Sequence, residues 1–357
     1  MKGVVLAGGT GSRLRPITQT GPKQLVPVAN KPVIQYGIED LRDAGVTDIG
    51  VVLGDKGRDE IQAFLGDGSD LGVDITYIIQ GEPLGLAHAA ACAREFVGDD
   101  DFVMYLGDNI FHRGLGALVK RFEAGEFSAS IALQRVDSPN RFGIADVTED
   151  GSVERLVEKP DDPPSNLALV GVYVFSPMVF DAIENLEPSW RGELEITDAL
   201  QGLLDSGATV DSHVVEGWWK DTGKPGDILD ANRLVLEDLD AELVGESHPE
   251  ADVTGRVDLA AGARIEERAV VRGPVSIAAG ATVGPETYVG PYTAIGPETT
   301  VRGPHIENSV VVGESELTAE VRLIDCLLGR GATVGSAEGL LPEGHRLIVG
   351  ENSDLKL

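Results

Sequence analysis

Cysteine is nearly absent: Cys92 and Cys326 are the only two in 357 residues, too few and too far apart for a disulfide framework, and no C-x-x-C spacing offers a zinc or redox site. Lysine is scarce as well, nine of the 29 basic residues, the rest being arginine. No apolar run approaches the roughly 20 residues of a membrane span, and Met1 leads into an apolar strand and a Gly-rich loop rather than a signal-peptide pattern. These absences set aside secretion and membrane insertion and predict a cytoplasmic protein. Positive charge is short overall, with 59 Asp and Glu giving a formal net charge of −30. Such a surface repels phosphate backbones and anionic headgroups, which excludes nucleic acid and membranes as partners. What is present, 42% hydrophobic residues in regular patterns, predicts a folded chain long enough for two domains. Self-repulsion of this size predicts a cytosol of high ionic strength, where salt screens it.

Over 1–240, apolar strands alternate with amphipathic helical stretches, the pattern of an α/β domain with a mostly parallel sheet. Strands are expected at 2–7, 47–53, 74–80, 101–106, 129–135 and 168–175, and helices at 32–44, 86–96 and 194–204. The acidic stretch 241–252 loses the strand signal and reads as a linker. From 253 to 357 a repeat takes over. Aliphatic residues stand six apart at Val253, Leu259, Ile265, Val271, Ile277, Val283, Val289, Ile295 and Val301. Four residues after each comes a second position, small or β-branched from Val257 through Thr299 and ending at His305. A hexapeptide period makes a parallel β-helix, each aliphatic residue stacking inward on its equivalent in the next coil. Nine hexads supply three coils; the register is expected to lapse after His305 and to return weakly at Leu328 and Val334.

The first strand runs into GGTGSRLRP, Gly8 to Pro16. Clustered glycines let backbone N–H groups approach a phosphate chain, and Arg13 and Arg15 add charge. Neither the P-loop nor the dinucleotide fingerprint is present. Asp108 follows an apolar strand and should emerge at its carboxyl end, where open α/β sheets bind ligands. Asp221, in WWKDTG, is a second isolated carboxylate, and two such groups near phosphates are what Mg²⁺ uses. Taken alone, each Asp also reads as a turn or capping residue. Glu158 and Lys159, in VEKP, offer a hydroxyl acceptor and a point charge, or simply a surface ion pair. Gln80 and the loop PLGLAH supply an amide and a glycine where a flat base could lie.

GGTGSRLRP with PKQL, QGEPLGLAHA, YLGDN, RFGIADV, VEKP, RGELEITD and WWKDTG, in this order and spacing, resemble the sugar nucleotidyltransferases in their long form. The resemblance spans essentially the whole chain. It implies a Rossmann-like, mostly parallel sheet followed by a left-handed parallel β-helix. It also implies Mg²⁺-dependent condensation of glucose 1-phosphate with dTTP, releasing pyrophosphate, by a homo-oligomer. Leu6, Gly8, Gly9, Thr10, Gly11, Gln24, Gln80 and Gly85 would bind the nucleotide. Arg13 and Lys23 would contact its phosphates, and Asp108 and Asp221 would hold the metal. Gly143, Glu158, Lys159, Val170 and Arg191 would take the sugar phosphate. Phe142 stands where short-form members often have Tyr. Alternatives are a UTP-using enzyme, acetyl transfer in the β-helix with His305 or His345 as base, or an inactive regulatory homologue.

Overall fold

The computed structural model describes residues 1–19, 21–336, 352–354 and 356. The chain forms two compact units, Met1–Thr10 with Val33–Asp221, and Gly11–Pro32 with Thr222–Leu357. Among the described residues no helix is long and apolar enough to cross a membrane.

The first unit is built on a nine-stranded sheet. Four strands are short apolar runs ending in charged or turn residues: β1 (Lys2–Leu6), β2 (Asp48–Leu53), β3 (Asp74–Ile79) and β4 (Phe102–Leu106). They pair in parallel in the order β4-β1-β2-β3. Val4, Val5, Ile49, Val51, Phe102 and Met104 have no exposed surface, as expected of strands covered on both faces. Because the chain adds strands first on one side of β1 and then on the other, the carboxyl ends of β1 and β4 flank a topological switch point. Five more strands complete the sheet, β6 (Ala129–Arg135), β7 (Gly143–Val147), β8 (Val153–Glu158), β9 (Leu167–Phe175) and β10 (Val210–Val214), while β5 (Asn109–Phe111) and β11 (Trp219–Asp221) form a separate two-stranded ladder. β9, buried throughout, runs antiparallel to β4, β6 and β7, so the sheet is more mixed than strand and helix alternation alone implied. The helix expected at 86–96 is two pieces, Leu86–Ala91 and Arg94–Val97. The one expected at 194–204 begins later, Ile196–Asp205, because the backbone of Leu194 is bonded elsewhere: its N–H donates to Leu84 O at 2.7 Å.

In the second unit, helix Pro225–Glu237 leads into a left-handed parallel β-helix of three stacked sheets. The stacking begins earlier than the hexads suggest, since Glu246–Ser247 already pairs with Arg264–Ile265. Ladder partners are eighteen residues apart, as from Ile265 to Val283 to Val301. Eight of the nine predicted aliphatic positions, Leu259 to Val301, are buried, and Val253 at the first coil is half-buried. The expected lapse after His305 does not occur. Val301 to Ile306 and Ile306 to Val311 are five-residue steps, and Ile306, Val311 and Leu317 are fully buried. Shortening the corners, rather than losing the register, carries the stack past three coils to five and into a sixth strand of one sheet. The same shortening turns His305 outward: it is exposed, opposite Tyr288 on one side and Arg322 on the other, while Pro304 takes the small inward position. The six-residue count, which placed His305 in the inward position, is thereby corrected. His345 lies outside the described residues.

Outside the stack, Arg272 pairs with Asp252, Arg302 with Glu266, Arg322 with Glu307 and Arg330 with Glu314. Exposed pairs of this kind contribute little each, so stability rests on the apolar stack. Ile277→Ala, in mid-stack with no exposed surface, is therefore expected to cost about 2–5 kcal/mol. Denaturant unfolding checks this.

Candidate active site

Leu6 ends β1, and Ala7 extends its pairing by donating N–H to Val52 O at 2.8 Å. Gly8 follows directly. A Cβ there would stand 2.5 Å from Gln80 Oε1, so the start of the Gly-rich loop and the end of β3 meet. Gln80 is fixed by its backbone N–H to Leu53 O at 2.9 Å, and its amide nitrogen lies 3.4 Å from His88 Nδ1. Gly85 has φ +116°, and a Cβ would come within 2.4 Å of Leu194 O. Only glycine fits where both conformation and a neighbouring carbonyl forbid a side chain. Leu194 thus ties the loop before helix Leu86–Ala91 to the segment that carries Arg191.

The Gly-rich segment passes from one unit to the other. Gly8, Gly9 and Thr10 belong to the first, whereas Gly11, Arg13, Lys23 and Gln24 belong to the second. There Gly11 O accepts from Thr18 Oγ1 at 2.6 Å, Arg13 is exposed in the turn Ser12–Leu14, and Lys23 and Gln24 lie in Lys23–Leu25.

Asp108 emerges just past the carboxyl end of β4, as predicted. β5 and β11 pair antiparallel with Asp221 opposite Asn109, which sets the two aspartates, 113 positions apart in sequence, at one end of a short ladder. Asn109, 2% exposed, locks this arrangement. Its amide donates to Asp108 Oδ1 at 2.9 Å and accepts from Trp219 Nε1. A pair of hard carboxylate donors brought together in this way fits a divalent cation that takes its other ligands from phosphate oxygens and water.

The third group lies at the ends of β7 and β8. Glu158 stands opposite Gly143, and Lys159, at φ +41°, donates its N–H to Phe142 O at 3.0 Å. Lys159 Nζ is 2.8 Å from Glu158 Oε1, and Thr197 Oγ1 donates to Glu158 Oε2 at 2.8 Å. Arg191 is held by Glu158, Glu193 and Glu195 at 3.4, 2.8 and 3.2 Å. Burial pushes the Glu195 carboxyl up, partly offset by the Ser189 hydroxyl and by Arg191. Burial and the neighbouring Glu158 likewise raise Asp198. Val170 is fully buried beside Gly171, where the β6 and β9 register shifts. Phe142 packs edge-on against Trp219, with centroids 5.7 Å apart, and so touches the strand that carries Asp221. Sequence reasoning quoted Asn109, Glu195 and Thr197 inside motifs without giving them roles. The order of motifs was the signal pointing to them, since Thr197 acts on Glu158, 39 positions away, and Asn109 is tied to Trp219, 110 positions away.

Gly143 leaves no room for a side chain: a Cβ would be 2.7 Å from Thr197 Oγ1 and 3.0 Å from Glu158 Oε2. Gly143→Ala is expected to displace the Glu158 carboxylate and lower stability by about 1–3 kcal/mol. Thermal unfolding of the variant checks this, and a parental melting temperature would show that the site has slack.

Residues 2–238 match the nucleotidyl transferase family. Over their full lengths, the chain is 68% identical to the low-salt glycan biosynthesis nucleotidyltransferase Agl11 of Haloferax volcanii. It is 47% identical to glucose-1-phosphate thymidylyltransferase of Streptomyces antibioticus, covering 100% of this chain and 99% of the relative. UTP-glucose-1-phosphate uridylyltransferase AglF of Haloferax volcanii is 40% identical over 67% of this chain and 98% of its own length. The match across residues 2–238, with relatives alike along the whole length of the chain, shows that the chain belongs to the nucleotidyl transferase family.

Proposed function

We propose that the protein condenses glucose 1-phosphate with dTTP to give dTDP-glucose and pyrophosphate. The observation that carries this reading is the likeness to a glucose-1-phosphate thymidylyltransferase through both parts of the chain, the β-helix included. UTP is the second reading, favoured by AglF, whose likeness covers 67% of the chain. The two triphosphates differ by the base methyl, worth about 1 kcal/mol of discrimination, and by the ribose 2′-hydroxyl.

In this reading a phosphate oxygen of the sugar 1-phosphate attacks the α-phosphorus in line as the bond to pyrophosphate breaks. The nucleophile is already anionic at neutral pH, so no general base is required. The obstacle is the mutual repulsion of two polyanions, which fixed cations and orientation overcome. Lys159 and Arg191 would hold the sugar phosphate while Glu158 accepts from hexose hydroxyls, and Arg13 and Lys23 would grip the triphosphate. Asp108 and Asp221 would hold Mg²⁺, which supplies neutralising charge when bound. Asn109, through its two hydrogen bonds, sets the carboxylate of Asp108.

Pyrophosphate release in concentrated KCl with Mg²⁺ and glucose 1-phosphate, with dTTP or UTP supplied, tests the reading. Release favouring dTTP several-fold is expected, and preference for UTP would replace it with the second. Lys159→Ala and Asp108→Ala are each expected to lower turnover by at least about two orders of magnitude with the fold retained. Near-parental turnover in either purified variant would remove that residue from the mechanism.

A further inference from the structure

The segment Gly11–Pro32 carries Arg13, Lys23 and Gln24, yet it is compact with the β-helix rather than with the sheet whose first strand precedes it. Among its described residues it holds two short turns and a hairpin in which Pro27–Val28 pairs with Lys31–Pro32, and no long element. The hairpin turn is Ala29 and Asn30, both left-handed at φ +47° and +64°. Each is tied to the C-terminal part of the chain. Ala29 N–H donates to Asn232 Oδ1 at 2.9 Å, and Asn232, on helix Pro225–Glu237, has no exposed surface. The other end of the same amide donates to Tyr292 O, in the β-helix, at 2.8 Å. Asn30 Nδ2 donates to Ser276 O at 3.1 Å and to Ser276 Oγ at 2.9 Å, and that hydroxyl donates on to Asp258 Oδ2 at 3.1 Å. Ile17 is in contact range of Gly329, four coils further along the stack.

We infer that the β-helix is a brace for the triphosphate-gripping segment, with Asn232 and Asn30 as positioning residues that fix where Lys23 and Gln24 are presented. A buried amide using both its donor and its acceptor tolerates one arrangement only. Lys23 and Gln24 lie a few residues before the turn so held, and the rigid ladder behind Ser276 and Tyr292 removes slack from it. The inference rests on the proposed transferase reading and assigns the β-helix a part in nucleotide binding.

The test uses the full-length chain. Asn30→Gly keeps the left-handed turn and removes both bonds to Ser276, whereas Asn232→Ala removes both bonds of the buried amide. Each is expected to raise KM for the nucleoside triphosphate about fivefold to tenfold, with KM for glucose 1-phosphate unchanged at saturating triphosphate. Hydrogen exchange of the amides of residues 23–28 should speed up in both variants while exchange in the sheet strands stays parental. If both KM values rise together with a fallen melting temperature, or if KM and exchange are parental in folded variants, the brace is overturned. Absence of turnover in the unaltered chain with either triphosphate would sink the transferase reading alone. Exchange over 23–28 would still decide whether the β-helix holds the segment.

Discussion

Repulsion between anions is the constraint on which the arrangement depends. A chain with a net charge of −30 that binds two polyanionic substrates needs positive charge to be local and fixed. In the proposed reading a few cations carry that burden, Lys159 and Arg191 among them. Lys159 and Arg191 are oriented by carboxylates at 2.8 to 3.4 Å, Glu158 being shared between them. The carboxylates are themselves held, Glu158 by Thr197 and Glu195 by Ser189. An ammonium or guanidinium set in this way keeps its direction without a ligand, and preorganised charge is worth more than mobile charge because nothing has to reorganise when substrate arrives.

The same need for fixed geometry explains where glycine and asparagine fall. Gly143 lets Glu158 and Thr197 close on the backbone, Gly85 lets Leu194 reach the loop before helix Leu86–Ala91, and Asn109 joins Asp108 to the strand bearing Asp221. These residues make no direct contribution to charge. They make the distances reproducible, and they occur where β4, β5, β7, β8 and β11 approach one another.

Much of this was legible in the sequence, for physical reasons that differ by region. Parallel strands covered on both faces are continuous apolar runs, so β1, β2 and β4 were placed within a residue or two, and the partly exposed edge strand β3 was found by its β-branched and aromatic residues. The β-helix declared itself through an unbroken six-residue period from Leu259 to Val301. What escaped was whatever depends on pairing between distant segments. Nothing local says that β9 runs antiparallel to β4, or that Leu194 is bonded to Leu84 and so delays its helix. The five-residue steps at Ile306 and Val311 hid because a strict period-six count reads a shortened corner as a break, which misplaced His305. Asp108, Asp221, Glu158 and Lys159 were visible as motifs, but the bonds from Thr197 to Glu158 and from Trp219 to Asn109 span 39 and 110 positions.

The unit boundary between Thr10 and Gly11 follows from the same physics. A Gly-rich loop has little side-chain surface to bury, and the segment after it forms no strand with the sheet among the described residues. Such a segment keeps a fixed shape only by borrowing rigidity. A β-helix is well suited to lend it, because every coil is hydrogen-bonded to the next and its interior is a continuous apolar stack, leaving few soft modes along the sheet faces. At the hairpin turn of Ala29 and Asn30 this segment satisfies polar groups on both helix Pro225–Glu237 and the coils beyond. A repeat domain added after a catalytic sheet need not carry chemistry of its own to matter for catalysis. It is enough that it removes conformational freedom from the stretch of chain proposed to grip the triphosphate.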